Sequence, residues 1–472
     1  MNKNLQESLG YFSDKISDAV KSQKSILVTT HIDCDGITSG SIISKALIRE
    51  GAKCTVRTTN EFSHSFVDRL QKEARELHII TDLGGGFGKI LEEKVGDNWI
   101  ILDHHQISEQ EMDNQNVINA WKFGIDGGTE ICAGGMAYLA ATDLNKRNKD
   151  LSGIAVVSAL GDRQDQGEKK SFVGENQKIA KTAKEVGLID INLDLLLVGR
   201  ETRPLPDALA FTSQPFIEGL TWKRDVCLAM LNSAGISLKD GARWRVTSDL
   251  DHDEKRKIIE SITKFVQGKN TTGIMDELVG YTYTFPREDR RSFLREGREF
   301  STMLNSCGRI GKSGVGISIC MGDRNKMLQE GEKILSQYRS MIRGYMDAIG
   351  HERWRTSSND TCVMINAEGL VPETMTGTIS SLIAGSPKNT GKIVILRTDG
   401  SEGTVKFSSR KSNNCKSDVN LSELMRNGAK KFDGMGGGHN AAAGAKITKE
   451  KLDEFLDYLE ENVTKMQSRD NN

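Results

Sequence analysis

Three short apolar runs in the N-terminal third of the chain each end in residues that bind divalent metal, and this recurrence constrains the fold most. Ser25-Ile-Leu-Val-Thr-Thr30 opens into His31-Ile-Asp33-Cys-Asp35-Gly36. His78-Ile-Ile-Thr ends at Asp82, ahead of Gly84-Gly85-Gly86, and Trp99-Ile-Ile-Leu ends at Asp103-His104-His105. An extended segment turns every second side chain the same way, so His31, Asp33 and Asp35 are expected to converge where the first strand opens into a loop. One imidazole, two carboxylates and a turn-permitting glycine form a half-site for a divalent ion. A further apolar segment, Ile154–Leu160, runs into Gly161-Asp162.

Between these runs lie helix-like stretches. Leu5, Leu9, Phe12, Ile16 and Val20 recur at helical spacing, a second helix-like stretch spans 38–50, and a short strand is expected at Lys53–Thr58. Strands alternating with helices predict an α/β fold with a doubly wound parallel sheet, whose ligands sit beyond the strand carboxyl ends. The metal-capable residues fall at such ends.

At 472 residues the chain is too long for one compact core and is expected to hold two or three domains. Lysine plus arginine (64) balance aspartate plus glutamate (65), so any nucleic-acid contact must use a local groove rather than a global basic field. The eight cysteines are scattered without a CxxC pair and read as reduced thiols. No stretch is apolar enough for a membrane span and the N-terminus lacks a signal-peptide core, so the expectation is a soluble cytoplasmic protein with no membrane contact.

Beyond residue 185 strand-like runs thin out. An arginine-rich stretch between Pro286 and Phe300 interleaves Arg287, Arg290, Arg291, Arg295 and Arg298 with acidic residues, which reads as a solvated helix face with internal ion pairs. A helix-like stretch covers 325–349. Strand-like Thr361–Ile365 and Ile393–Arg397 follow, then Gly434-Met-Gly-Gly-Gly-His439-Asn-Ala-Ala-Ala-Gly444 and a tail, Ser468–Asn472, expected to be disordered. The boundaries read from this pass are 1–185, 186–330 as an inserted middle segment, 331–350 as a connecting helix, and 351–466.

Carboxylates and imidazoles at close quarters can hold two divalent ions about 4 Å apart, the arrangement used for in-line displacement at phosphorus. Asp82, on the central strand candidate, is expected to be the carboxylate shared between them. Ligation by His and Asp without thiolates favours Mn²⁺ or Mg²⁺ over structural zinc. His104 and His105 point in opposite directions if extended, so one faces metal and the other substrate, and spacing leaves open which. Gly161-Asp162-Arg-Gln-Asp165 offers two aspartates, of which Asp162 directly follows the apolar run. Gly84–Gly86 reads as a flexible turn, with a phosphate cradle as the rarer alternative. Cys34 reads as a small buried hydrophobe. His64, His78, His252 and His351 read as surface or packed histidines.

These residues carry a resemblance. Asp33-x-Asp35-Gly, Asp82, Asp103-His104-His105 and Gly161-Asp162 resemble the four motifs of the DHH phosphoesterase superfamily. Gly436-Gly437-Gly438-His439 resembles the signature of its DHHA1 substrate-binding domain. Within the superfamily the chain is most similar to archaeal RecJ-like, GINS-associated nucleases. Glu299-Phe-Ser-Thr-Met-Leu-Asn305-Ser-Cys-Gly308-Arg309 resembles a motif between the two domains of those proteins.

The resemblance implies a DHH domain at 1–185, a smaller α/β DHHA1 domain at 351–466, and a two-Mn²⁺ (or Mg²⁺) exonuclease acting on ends of single-stranded DNA or RNA. His31, Asp33, Asp35, Asp82, His104 and Asp162 become metal ligands. His105 contacts the scissile phosphate and Asp103 orients the histidine pair, so that Asp35, Asp82, Asp103, His104 and His105 form the catalytic set. Gly436, Gly437, Gly438 and His439 hold substrate phosphates, and Lys406-Phe-Ser408-Ser409-Arg410 lines the nucleic-acid groove, together with the basic Lys411 and Lys416. The GINS complex and the MCM helicase are the partners it implies. Two other functions stay open: a phosphodiesterase for very short oligonucleotides or cyclic dinucleotides, and a replication-helicase scaffold with little activity.

Overall fold

In the computed structural model residues 3–73, 75–266, 271–415 and 417–464 are described. The tail Ser468–Asn472 and Lys416 lie outside them. The chain forms two compact units, Met1–Leu335 and Ser336–Asn472.

The first unit begins with α1 (Lys3–Lys21), whose Leu5, Leu9, Phe12 and Ile16 are buried at the expected helical spacing. Next come β1 (Ser25–His31), α2 (Cys34–Arg49), β2 (Lys53–Thr59), α3 (His64–Glu73), β3 (Leu77–Thr81), α4 (Gly88–Val95), β4 (Trp99–Asp103) and β5 (Val117–Asn119). The strands make one parallel sheet in the order β2-β1-β3-β4-β5. Val28, Ile79, Ile100, Leu102 and Ile118 face a core shared with α1 and α2, whereas Leu27, Ile80, Trp99 and Ile101 face Phe66, Leu70 and Leu91 of α3 and α4. Strand order reverses between β1 and β3, the place where such sheets bind ligands at their carboxyl ends. β5 was not anticipated, because three residues are too few to show a period.

Then follow α5 (Ala133–Leu144), α6 (Ser152–Gly161) and α7 (Gly174–Glu185). The apolar run Ile154–Leu160 is therefore helical, so Asp162 sits at a helix C-terminus and not at a strand end. Ala155, Val156, Val157, Ala159 and Leu160 are all buried, and a helix buried on every side has lost the amphipathic period that would identify it. α2 likewise starts earlier than 38. Asp33 caps it, accepting from the Gly36 N–H at 3.1 Å, so Asp35 projects from the first helical turn rather than from an extended strand.

The middle segment comprises β6 (Asp190–Leu195), α8 (Leu205–Phe211), α9 (Arg224–Ser233), β7 (Lys239–Asp240), β8 (Arg243–Trp244), α10 (His252–Phe265), α11 (Thr271–Leu278) and β9 (Val279–Thr284). Antiparallel pairing of β6 with β9 closes its base, and Leu205, Leu209, Ile217, Leu220, Leu231, Ile258 and Ile262 give it a core of its own. The arginine-rich stretch is not a helix face. Residues 286–296 are turns, and α12 (Gly297–Arg309) begins only afterwards. Its arginines reach acidic partners from other segments: Arg291 meets Asp249, Arg295 lies 3.9 Å from Glu201, and Arg298 lies 2.7 Å from Asp165. α13 (Ser313–Met321) and the start of α14 (Lys326–His351) complete the unit.

The second unit holds β10 (Thr356–Ser358), β11 (Cys362–Asn366), α15 (Thr376–Ala384), β12 (Ile393–Asp399), β13 (Thr404–Lys411), α16 (Leu421–Lys431), β14 (Met435–His439), β15 (Ala442–Thr448) and α17 (Leu452–Thr464). Its mixed sheet runs β10-β11-β12-β13-β15-β14, parallel only between β11 and β12. Phe407, Met425 and Phe455 centre the core between the sheet and α16 and α17. The glycine-rich signature is the edge strand β14 of a hairpin with β15. All eight cysteines are free thiols, and among the described residues no helix is long and apolar enough to cross a membrane.

His78 illustrates the cost of this packing. It sits in β3 between Leu27 and Trp99, fully buried, and neither ring nitrogen finds a hydrogen-bond partner. Burial pushes its pKa down to about 4. The native state therefore resists a proton that the unfolded chain takes up near pH 6.5, so stability is intact above that pH and falls as pH drops toward 4. Denaturant unfolding should show a loss of about 2 kcal/mol between pH 7 and pH 4.5 that is absent in His78→Leu.

Candidate metal centre

The site is assembled from β1, β3, β4 and two helix ends. His31 is the last residue of β1, Asp33 the cap of α2, and Asp35 lies in its first turn. Asp82 follows β3, Asp103-His104-His105 close β4, and Asp162 caps the C-terminus of α6. Potential ligand atoms approach within 4.8 Å of one another in three overlapping groups: His31, Asp33 and Asp82; Asp35, His104 and Asp162; and Asp82, Asp103, His104 and His105.

Asp82 belongs to two of these groups, and His104 links the third. Its backbone is left-handed (φ +64°), a conformation that short acidic side chains tolerate better than most. One carboxylate oxygen lies 3.3 Å from His104 Nε2, and the other lies 3.6 Å from His31 Nδ1. That second oxygen is buried without any hydrogen-bond partner. An orphaned buried carboxylate oxygen between two clusters of N and O donors fits a bound divalent cation, which would supply the missing partner.

Asp35 is held by groups that motif reading missed. Its oxygens accept from the N–H groups of Ala133 (2.9 Å) and Gly134 (2.8 Å), at the positive N-terminus of α5, and from the Ser158 hydroxyl. Even so, burial and the facing Asp82 push its pKa up to about 8. Asp162 rises to about 6, through burial and repulsion from Asp82 and Asp33, against the pull of His104. His31 moves the other way: burial alone would lower it, but Asp33 and Asp82 carry it to about 10. Asp33 and Asp103 stay below the ordinary carboxylate range, because their histidine neighbours outweigh burial, and Arg309 adds to the effect at Asp33. Without a cation, the cluster balances its negative charge with protons that a metal would displace.

The two histidines differ in burial and in partners. His104 is buried, and its Nδ1 lies 2.6 Å from the Gly127 carbonyl, which can only accept. A proton therefore sits on Nδ1, and Nε2, 3.3 Å from both Asp35 and Asp82, is the nitrogen that a cation would use. Burial alone would lower the ring's pKa, but Asp162, Asp82 and Asp35 hold it well above its ordinary value, so without a cation Nε2 carries a proton too. The His105 side chain is 49% exposed, with Nδ1 2.8 Å from Asp103. Asp103 also accepts from the His104 N–H at 2.8 Å and the Gly85 N–H at 3.2 Å. A Cβ at Gly85 would stand 2.7 Å from the Asp103 carboxylate, so the glycine turn serves close approach to Asp103 rather than a phosphate.

Of the two late aspartates, Asp162 enters the cluster and accepts from Gln164 Nε2 at 2.7 Å, while Asp165 is engaged by Arg298. α12 braces the loop before α2. Asn305 accepts from the Cys34 N–H at 3.0 Å, and a Cβ at Gly308 would fall 1.6 Å from the Ile32 carbonyl oxygen. Ser158 acts on Asp35 from a distant segment that no local pattern announces, whereas Gln164 lies two residues from Asp162 and Asn305 falls within the Glu299–Arg309 motif.

In the second unit, Lys406, Ser408 and Arg410 alternate onto one face of β13, toward α15; Ser380 donates to Ser408 and Arg410 to Ser381. Ser409 points the opposite way. It is fully buried and donates to the Ala443 carbonyl, so it packs the sheet and cannot touch a ligand. Gly436 lies against α16, where a Cβ would sit 2.2 Å from the Met425 carbonyl oxygen; Gly437 has open space, Gly438 is left-handed (φ +133°), and His439 is exposed.

Comparison with known proteins gives the class. Family models match for the DHH family, N-terminal domain, over residues 25–161, for the DHH-CID domain over 197–279, and for the DHHA1 domain over 364–465. The chain belongs to the DHH/DHHA1 superfamily. An uncharacterized protein of Methanocaldococcus jannaschii is 29% identical over 95% of this chain and 96% of its own length. The fold is shared with CDC45 from Entamoeba histolytica (TM-score 0.64, 14% identity, 96% of this chain and 98% of that one). It is also shared with RecJ from Thermus thermophilus in complex with Mn²⁺ (TM-score 0.59, 15% identity), where it covers 98% of this chain and 55% of that one.

The packing of α12 on the metal loop yields a test. Gly308→Ala should displace that helix, cost about 3 kcal/mol in thermal or denaturant unfolding, and weaken Mn²⁺ binding in a calorimetric titration. Gly314→Ala, where a Cβ meets nothing within 4 Å, should leave both unchanged.

Proposed function

We propose that the chain is a two-metal exonuclease that hydrolyses phosphodiester bonds from the ends of single-stranded DNA or RNA. The observation that carries this reading is the Asp82 carboxylate, with one oxygen toward His104 and the other, unpartnered, toward His31. His31, Asp33 and Asp82 would hold one divalent ion, and Asp35, Asp82, His104 and Asp162 the second. When bound, the pair supplies an activated water and neutralises charge on the phosphate, with Mn²⁺ or Mg²⁺ suited to this all-N/O donor set.

The protein's own residues do the rest. The α5 N-terminus and Ser158 fix both Asp35 oxygens. Gly127 holds the His104 proton on Nδ1, so Nε2 stays a ligand. Asp103 would accept from Nδ1–H of His105 and, against the effect of burial, raises its pKa, so that the ring protonated on both nitrogens could donate from Nε2 to the scissile phosphate. In the second unit Lys406, Ser408 and Arg410 of β13, with Gly436, Gly437, Gly438 and His439 of β14, would bind the strand's phosphates.

A second reading draws on the shared fold with CDC45: a replication scaffold that binds the GINS complex and MCM helicase. The full set of acidic and histidine residues argues for an active enzyme that could also dock there. A phosphodiesterase of very short oligonucleotides is separated by substrate length.

End-labelled 30-mer DNA and RNA strands, incubated with Mn²⁺ or with EDTA, test the proposal. Metal-dependent release of mononucleotides is expected, with Asp82→Ala folded but without detectable turnover. Full activity of Asp82→Ala in the presence of metal would contradict it.

A further inference from the structure

In the middle segment the exposed Trp222 packs on the half-buried Phe216, and the chain leading to this pair is joined to the residue that follows Asp162. Arg163, next to Asp162 and itself left-handed (φ +57°), donates from its guanidinium to Gln214 Oε1 at 2.7 Å. Two residues further, the Phe216 ring meets Trp222 edge to face, with centroids 5.5 Å apart. The connection from Asp162 runs through Arg163 to Gln214, two residues along the chain to Phe216, and across the ring contact to Trp222.

The segment that presents Trp222 is rigid. Ile217 and Leu220 are buried beneath it in the middle-segment core. The Thr221 hydroxyl accepts from the Ile217 N–H at 2.9 Å and donates to the Thr212 carbonyl at 3.1 Å. Gly219 is left-handed, and the ring of Phe265 in α10 lies against it. Trp222 is also left-handed (φ +63°), an unfavourable backbone for a bulky residue, and its N–H is secured by the Ala210 carbonyl at 2.7 Å. Such strain persists where surrounding structure over-determines it, commonly at ligand-contacting positions. Here it holds an indole that stays 53% exposed, although indole is among the side chains that gain most from burial. Lys223 and Arg224 follow directly and are exposed, Arg224 pairing with Asp207 at 2.9 Å, and Arg203 stacks on the exposed Phe211 at 4.8 Å.

We infer that Trp222, braced by Phe216, is a stacking platform for an unpaired base of the substrate strand, close to the nucleotide being hydrolysed. This rests on the nuclease reading. A flat, rigid, half-exposed indole beside cationic side chains suits single-stranded nucleic acid, because every base offers a π-face and the backbone offers phosphate. The rigidity matters for an enzyme that advances along a strand, since a preordered ring takes each successive base without refolding.

Two readouts test it. In EDTA, where no turnover occurs, a single-stranded 30-mer should quench tryptophan fluorescence, and Trp222→Phe should remove most of the change. In Mn²⁺, Trp222→Ala should raise KM for the 30-mer about tenfold, with the loss falling on KM rather than kcat, and Trp222→Phe should recover most of it. Quenching that depends on Trp222 without any hydrolysis would uphold the platform and refute the nuclease reading. Hydrolysis with KM and quenching indifferent to Trp222 would overturn the platform and assign the patch to a protein contact. Absence of both binding and hydrolysis would overturn both.

Discussion

Asp82 is the constraint on which the first unit depends. It stands at the reversal of strand order between β1 and β3, in a left-handed backbone, with its carboxylate in a cluster of three histidines and four other aspartates. Burying several carboxylates together is unfavourable unless each finds hydrogen bonds or a cation. Part of the compensation comes from the protein: the α5 N-terminus and Ser158 at Asp35, Gln164 at Asp162, and the backbone N–H groups of Gly85, His104 and His105 at Asp103. The orphaned Asp82 oxygen is what these arrangements leave uncompensated, and a cation there would supply its missing partner.

The surrounding architecture makes sense as support for that cluster. Glycines occur where neighbours approach too closely for any Cβ: Gly85 against Asp103, Gly127 against the His104 carbonyl, Gly308 against Ile32. Trp121 donates from its indole to the same His104 carbonyl at 2.9 Å, and Asn119 to that of His105 at 2.9 Å, so the histidine pair is fixed through its backbone as well as its rings. The loop after Asp162 is tied from two sides, by Arg298 of α12 on Asp165 and by Gln214 of the middle segment on Arg163.

Much of this was legible because the ligands are written in local patterns. A strand that ends in Asp-His-His, or in His-x-Asp-x-Asp, carries its chemistry with it, and parallel topology collects the ends at one edge. Four features were not legible, for physical reasons. α6 is apolar all round, so it showed no helical period and was grouped with the strands. Asp33 was placed in an extended run because nothing local distinguishes a cap from a strand residue until the helix that it caps is known. The arginines of 286–298 looked like a self-paired helix because their acidic partners Asp165, Asp249 and Glu201 are remote in sequence. Ser409 was assigned to the substrate face by motif, although the two-residue period of β13 turns it into the core.

The most direct test of the account is anomalous diffraction at the manganese edge from crystals of the protein soaked in Mn²⁺. Two peaks about 4 Å apart, one on each side of the Asp82 carboxylate, are predicted. A single peak bound without Asp82, or none at these residues, would contradict the claim that this carboxylate organises a dinuclear centre.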